Sequence, residues 1–113
     1  MNYTIETTKV FELNFKRLSK KYRSLIDDLE EFKKILLENP NVGDDLGENV
    51  RKVRMAIASK NKGKRGGARV ITYTVLVDWE NLKIYLLTIY DKGEQDNISK
   101  KDIGLLKKWT GLV

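Results

Sequence analysis

The chain has 113 residues, a length that fits one domain built around a single core, residues 1–113. Its 22 basic and 16 acidic side chains give a net charge of +6. It contains no cysteine and no histidine, which excludes disulfides, thiolate metal sites, cysteine nucleophiles and the usual general base near neutral pH, so we expect neither a metal nor a cofactor.

The chain is predicted to begin with a strand and a helix. Residues 1–7 alternate weakly between polar and apolar side chains and fit an edge strand, with Thr7 or Thr8 as the cap of the following helix. Apolar side chains then recur every three or four residues, as on the buried face of an amphipathic helix. The members of that face are Phe11, Phe15, Leu18 and Tyr22.

A second helix should follow at once. Ser24 and Asp27 have the spacing of a capping box, and Pro40 stops the helix. Its predicted buried stripe is Leu25, Leu29, Phe32 and Leu36. The two helices are expected to form a hairpin, followed by a loop at residues 41–48, which contain two glycines, three acids and no periodicity.

The period of apolar residues then changes from about 3.6 to 2, which predicts strands. In residues 50–57 the alternation places Lys52 and Arg54 side by side on one face. Residues 59–67 (SKNKGKRGG) are too basic and glycine-rich for a strand and predict a mobile loop. Residues 68–77 and 84–90 are apolar on both faces and predict a central hairpin with its turn near Glu80 and Asn81.

A short C-terminal helix completes the prediction. Ser99 and Asp102 have capping-box spacing, and the apolar positions of the helix are Ile103, Leu106 and Trp109. The sequence therefore predicts an α+β fold in which an N-terminal helical hairpin packs on a small antiparallel β-sheet, with a short C-terminal helix.

The positive charge is concentrated in one part of the chain. Between residues 49 and 77 there are eight basic residues and no acidic one, while the rest of the chain is slightly acidic. Such a patch attracts polyanions, because each neutralised phosphate releases condensed counterions. The alternative is an ordinary solvated surface, but the complete separation of sign favours nucleic acid as the partner.

This patch offers cations and tyrosines rather than paired carboxylates, so any catalysis would rest on cations. RNA suits such a site, since its 2′-hydroxyl is a built-in nucleophile that needs alignment and charge stabilisation. Tyr90 or Tyr73 would serve as the base if neighbouring cations lowered its pKa; both are otherwise packing residues. Arg69 either contacts the ligand, which we favour, or anchors the chain at the start of its strand.

The segments VRKVRMAI, GKRGGARVITYTV and IYLLTIYDKGEQDNIS, preceded by the helical hairpin, resemble the toxins of bacterial RelE/ParE-type toxin–antitoxin modules, in particular the RelE-like and HigB-like branch. The resemblance spans nearly the whole chain. It implies a ribosome-dependent endoribonuclease that enters the A site, cuts mRNA without a metal and is held inactive by a cognate antitoxin.

The resemblance also implies roles for individual residues. Lys52 and Arg54 match the paired basic strand positions associated with phosphate binding and proton transfer, and Arg69 matches an arginine that stabilises the scissile phosphate. Lys92 matches a basic residue that assists the leaving group, and Ile98 stands near the position of a stacking tyrosine, for which Tyr90 or Tyr73 would substitute. The predicted catalytic set is Lys52, Arg54, Arg69, Tyr90 and Lys92; the predicted RNA-binding set is Arg51, Lys60, Lys62, Lys64, Arg65 and Tyr73.

The expected partners are the antitoxin, in a possible hetero-oligomer, and the ribosome with its mRNA. A membrane partner is not expected, because no apolar stretch approaches the roughly 18–20 residues of a span and the start MNYTIETT lacks a signal-peptide pattern. The expected location is therefore cytoplasmic. Two alternatives remain open: a ParE-like inhibitor of DNA gyrase without nuclease activity, and a simple RNA-binding module whose affinity falls steeply with salt.

Overall fold

The computed structural model describes residues 1–112, which form a five-stranded mixed sheet with helices on both faces. The strands are β1 (Asn2–Thr7), β2 (Asp44–Gly47), β3 (Val50–Met55), β4 (Ala68–Leu76) and β5 (Asn81–Asp91). The helices are α1 (Lys9–Lys21), α2 (Leu25–Glu38) and α3 (Lys100–Lys107), with short 3-10 turns at Ala58–Lys60 and Lys108–Thr110. The spatial order of the strands is β1-β5-β4-β3-β2.

The prediction of an N-terminal helical hairpin on an antiparallel sheet is wrong in two respects. A strand precedes the helices, namely β1, the edge strand that the alternation in residues 1–7 indicates, and it pairs in parallel with β5, in register from Asn2 with Asn81 to Thr7 with Leu86. The remaining pairs, β5–β4, β4–β3 and β3–β2, are antiparallel. The sheet is therefore mixed, with a parallel pair at the edge formed by β1.

Thr8 fixes this junction. Its hydroxyl accepts the backbone N–H of Phe11 at 3.1 Å, as a helix cap does, and donates to the carbonyl of Leu87 at 2.9 Å. The predicted cap of α1 is therefore confirmed. The predicted capping box of α2 is wrong, because the Ser24 hydroxyl makes no cap bond and donates instead to Asp28 at 2.7 Å.

The main core lies between α1, α2 and one face of the sheet, as the helical stripes predict. Phe11 and Leu18 from α1 and Phe32 from α2 pack there against Val53 and Val70. A second, smaller core lies on the opposite face, where α3 contributes Ile103. Because both faces are covered, β4 and β5 have apolar side chains on both sides, as expected for central strands.

The predicted loop at residues 41–48 is also wrong in part, since it contains β2. This strand pairs with only the first half of β3, opposing Asp44 to Lys52 and Asp45 to Arg51, so that opposite charges face one another. The outer edge of β3 beyond Lys52 has no β-strand partner within residues 1–112.

None of the helices within residues 1–112 has the length and apolar composition needed to cross a membrane.

Candidate functional site

Strand register brings three predicted site residues into one row. Arg54 on β3 pairs with Arg69 on β4, and Arg69 pairs with Tyr90 on β5. Directly paired residues of neighbouring strands project from the same face of a sheet. Their sequence neighbours Val53, Val70 and Ile89 belong to the core under α1 and α2, so the row faces the other way. Lys52 lies in the next row of that face, opposite Ile71.

The cations of this region form no ion pairs among the described residues. Within residues 1–112, no ion pair involves any of the six cations Lys52, Arg54, Lys62, Lys64, Arg65 and Arg69. Lys52, Arg54 and Lys64 line a groove of about 350 Å³ along the open edge of β3. Asp44, opposite Lys52 on β2, also lines this groove, so that three cations face one carboxylate. The remaining positive charges repel one another, and an anion in the groove would relieve that repulsion.

Arg69 differs from the other cations because it is buried, with an exposed fraction of 6%. Its guanidinium donates to three backbone carbonyls, those of Lys64 at 3.3 Å, Arg65 at 3.0 Å and Ala68 at 3.1 Å. The sequence left open whether Arg69 contacts a ligand or anchors the chain. In this structure its hydrogen bonds go to the chain.

Tyr90 is also buried, with an exposed fraction of 4%, and its hydroxyl has no hydrogen-bond partner among residues 1–112. Burial raises the pKa of Tyr90 above its ordinary value; the charge of Arg69 opposes this rise and that of Asp96 adds to it. Arg69 thus acts in the direction that the base hypothesis for Tyr90 requires, but burial outweighs it and the net shift of the pKa is upward. At neutral pH the side chain is therefore a neutral phenol, which is able to donate a hydrogen bond to a ligand, rather than a phenolate base.

Lys92 follows β5 and belongs to the same region. Its ammonium pairs with the carboxylate of Asp96, and its backbone N–H donates to the carbonyl of Gly67 at 3.1 Å. The hydrogen bond from Lys92 lowers the pKa of Asp96, with smaller contributions from the charges of Lys92, Lys52 and Arg69. Asp96 is therefore an acidic group set among the cations of three different segments, and the sequence argument missed it. Its spacing of four residues from Lys92 is no signal in the sequence, because that rule holds for helices and residues 92–96 are not helical.

Three residues of the predicted RNA-binding set lie away from this row. Arg51 projects from the opposite face and contacts the carbonyl of Gly43 at 3.3 Å and the carboxylate of Asp45 at 3.8 Å. Lys60 is held by Asp91 at 2.7 Å. Tyr73 shares the face of Arg69 but lies under α3, with the ammonium of Lys107 4.8 Å from its ring centre. The other three, Lys62, Lys64 and Arg65, are exposed on the loop between β3 and β4.

Asp91 is a second acidic residue that the sequence argument missed. It is 2% exposed, and its carboxylate accepts from the Lys60 ammonium, from the Tyr22 hydroxyl and from the backbone N–H of Gly93, at 2.7 Å and 2.9 Å for the first and last. Burial opposes ionisation of Asp91, but these hydrogen bonds outweigh it and hold its pKa at about 2. Asp91 thereby connects α1, the loop after β3 and the turn after β5.

Comparison with protein families decides the assignment. Residues 8–113 match the family described as "RelE toxin of RelE / RelB toxin-antitoxin system", a match that covers nearly the whole chain. The chain belongs to the RelE toxin family. RelE toxins pair with antitoxins in toxin–antitoxin modules, so the row of Arg54, Arg69 and Tyr90 lies in a toxin that has an antitoxin as its partner.

Proposed function

We propose that this RelE-family toxin is an mRNA endoribonuclease that acts in the ribosomal A site and is neutralised by its cognate antitoxin. The observation that carries the proposal is the row of Arg54, Arg69 and Tyr90 with Lys52 beside it. Among residues 1–112, these cations form no ion pair and lie next to a buried phenol that has no hydrogen-bond partner. An RNA backbone supplies what this surface lacks: phosphate oxygens for the cations and an acceptor for the hydroxyl.

The proposed reaction uses the RNA's own nucleophile. The 2′-oxygen attacks the adjacent phosphorus, the bond from phosphorus to the 5′-oxygen breaks, and the products are a 2′,3′-cyclic phosphate and a 5′-hydroxyl. Lys52 and Arg54 stabilise the negative charge that develops on the phosphoryl oxygens. Lys92 gives a proton to the leaving 5′-oxygen, and Asp96, its ion-pair partner, accepts the proton of the 2′-hydroxyl and returns it to Lys92.

The proton chemistry of this site is weak, and this supports the requirement for a ribosome. The pKa of Asp96 is lowered by Lys92 and the pKa of Tyr90 is raised by burial, so neither is a strong base at neutral pH. Rate enhancement must then come from charge stabilisation and alignment. Alignment of a reacting pair supplies up to roughly 7–11 kcal/mol, and a ribosome that fixes the mRNA in its A site would provide part of it.

The test is cleavage of a defined mRNA by the purified toxin in a reconstituted translation system. We expect cleavage that requires ribosomes, and a loss of roughly 100-fold in rate for Lys52→Ala and for Arg54→Ala, the effect of removing one charge-stabilising donor. Lys20→Ala removes an exposed cation from α1, on the other side of the molecule, and is the matched control that should cleave normally.

Intact mRNA at toxin concentrations that stop translation or growth would contradict the proposal. If the same preparation then blocked DNA supercoiling by gyrase, the toxin would belong to the ParE-like class. If it bound RNA in a salt-dependent way and cleaved none, it would be a binding module.

A further inference from the structure

A buried ion pair joins the segment after β3 to the last residue of β5, next to Tyr90 in the chain. The ammonium of Lys60 lies 2.7 Å from the carboxylate of Asp91, and the two side chains are 11% and 2% exposed. Apolar side chains of similar volume are often as stabilising as a buried ion pair, because removing two charges from water costs free energy. The geometry that this pair fixes is therefore of more interest than its stability.

The pair holds the turn that follows β5, residues 91–95, called here the β5 turn. The carboxylate oxygen of Asp91 that binds Lys60 also accepts the backbone N–H of Gly93, at 2.9 Å. The backbone carbonyl of Asp91 accepts two more N–H groups from the end of the turn, each at 3.0 Å. The hydrogen bonds that close the turn thus end on Asp91, and Lys60 fixes the place of its carboxylate.

Lys92 is the functional side chain that the β5 turn carries. It stands between Asp91 and Gly93 in the chain, and its N–H donates to the carbonyl of Gly67 at 3.1 Å. Its ammonium pairs with Asp96 rather than with Asp91. The place of this ammonium depends on the backbone of the turn, and a shift of about 1 Å caused by a distant change can slow a reaction about 100-fold.

We propose that Lys60 and Asp91 are positioning residues: their ion pair fixes the β5 turn and thereby sets the ammonium of Lys92 where it protonates the leaving 5′-oxygen. The assignment rests on the proposed function, in which Lys92 is the proton donor. Lys60, which the charge pattern of the sequence assigns to RNA binding, then acts on the reaction through Asp91 instead.

An mRNA with sulfur in place of the leaving 5′-oxygen separates the positioning of Lys92 from a general structural effect. A thiolate leaves without a proton, so a variant that has lost only the proton donor should cut the sulfur substrate at the wild-type rate. The cleavage site is first mapped with ordinary mRNA, and the sulfur is then placed at that bond. Single-turnover rates are measured on ribosomes with both substrates.

The expected result is a loss confined to the ordinary mRNA. Lys92→Ala should cut it roughly 100-fold more slowly, the usual contribution of a general acid, and should cut the sulfur substrate within about twofold of the wild type. Lys60→Met, which keeps the aliphatic stem, and Asp91→Asn should show the same pattern with a loss of about tenfold or more. Equal losses on the two substrates would show a structural effect and overturn the proposal.

Lys83→Met is the matched control. Lys83 also pairs with a carboxylate, that of Glu6 at 3.3 Å, but it lies near the start of β5, roughly 25 Å along the strand from Asp91. This variant should cut both substrates at wild-type rates. If a single change at the buried pair leaves an unpaired charge and the protein does not fold, the double variant Lys60→Met, Asp91→Asn removes both charges and takes its place.

A second comparison decides whether Lys60 contacts RNA itself. In the background of Lys92→Ala, Lys60→Met should slow cleavage of ordinary mRNA by less than about twofold, because both changes act through one group. A further loss as large as in the wild-type background, with a salt slope reduced by about one, would show a direct phosphate contact and overturn the proposal.

Amide hydrogen exchange, followed by NMR, tests the turn without RNA. In Lys60→Met the N–H groups of Lys92 and Gly93 should exchange about tenfold faster or more than in the wild type, while those of β1 stay unchanged. Unchanged exchange in the turn would overturn the proposal even if the toxin cleaves mRNA. If the wild type leaves mRNA intact on ribosomes, the proposed function fails, and the exchange rates still decide whether the ion pair holds the turn.

Discussion

The hydroxyl of Tyr90 is an exception to the rule that buried polar groups are hydrogen-bonded, and Thr72 on β4 is a second one. A buried hydroxyl without a partner has lost its hydration and gained nothing in return, which destabilises the fold by roughly 1–3 kcal/mol. Such a cost is commonly found where a group is held ready for a ligand. Only Tyr90 is paired with Arg69 in the row that faces the proposed RNA.

The two residues therefore give a matched prediction. Tyr90→Phe and Thr72→Val each remove an unpaired hydroxyl without changing the shape of the side chain, so each should leave the free energy of unfolding unchanged or raise it by about 1 kcal/mol in urea titrations. In the mRNA cleavage assay, Tyr90→Phe should reduce the rate roughly 10- to 100-fold, because a hydrogen bond to a charged phosphate is worth roughly 1.5–3 kcal/mol. Thr72→Val should retain full activity. Equal activity of the two variants would show that the phenol has no part in the reaction.

At the scale of elements, the junction between the loop at residues 62–67 (KGKRGG) and β4 depends on Gly67. A methyl group added there would lie 2.2 Å from the carbonyl oxygen of Met55 and 3.0 Å from the backbone nitrogen of Ile57. The end of β3 and the start of β4 thus approach more closely than a Cβ permits. Only glycine allows the two strands to meet at this point.

Gly67→Ala should consequently lower the free energy of unfolding by about 2–3 kcal/mol, a typical cost of overpacking a buried contact. Gly104 on α3 is the control, because a methyl group there meets nothing within 4 Å and removes the flexibility of glycine from a helix. Gly104→Ala should raise the free energy of unfolding by up to about 1 kcal/mol. Urea denaturation measures both, and a tolerated Gly67→Ala would mean that the loop can move away from β3.

The elements that could be predicted are those specified by local periodicity. The apolar faces of α1 and α2 and the alternation in β3 can be recognised from residues close together in the sequence, and the structure confirms them. The pairing of β1 with β5 and the existence of β2 depend on distant residues. In β2 the sequence DDLG has low strand propensity, and its pairing is supported by a partner on β3, Arg51, which forms an ion pair with Asp45.

The candidate site shows the same division. The sequence predicts that β3, β4 and β5 are neighbouring strands. Their antiparallel pairing brings Arg54, Arg69 and Tyr90 together. What a single sequence does not reveal is which charges a fold neutralises internally. Lys60 is part of the basic segment of the sequence, but its ammonium forms an ion pair with Asp91, a residue 31 positions away. The roles of the site residues in RNA binding and catalysis stay predictions.

At the scale of the whole molecule, Asp91 is the point where distant segments are tied together. Its carboxylate joins Tyr22 at the end of α1, Lys60 after β3 and the turn that follows β5. Protonation of this one group would weaken all three contacts at once. The ordinary pKa of an aspartate is near 3.8 and that of Asp91 is about 2, so the folded state favours the ionised form.

A group whose pKa is lowered by folding stabilises the protein above its unfolded pKa and loses that contribution as the pH falls through the folded value. Asp91 should therefore contribute about 2 kcal/mol at neutral pH, a contribution lost between pH 4 and pH 2. Tyr22→Phe removes one hydrogen bond to the carboxylate and should move this loss to higher pH. Urea titrations between pH 2 and pH 7 measure it; an identical acid limb in both proteins would show that the tyrosine does not hold the carboxylate.

The parallel pairing of β1 with β5 also determines when the fold of this toxin can be completed during its synthesis. During synthesis β1 finds its partner only when residues 81–86 have emerged, after β2, β3 and β4. The row of Arg54, Arg69 and Tyr90 likewise requires β5. A nascent chain thus has no assembled site while it grows, and an antitoxin already present can meet the toxin at the moment it first folds.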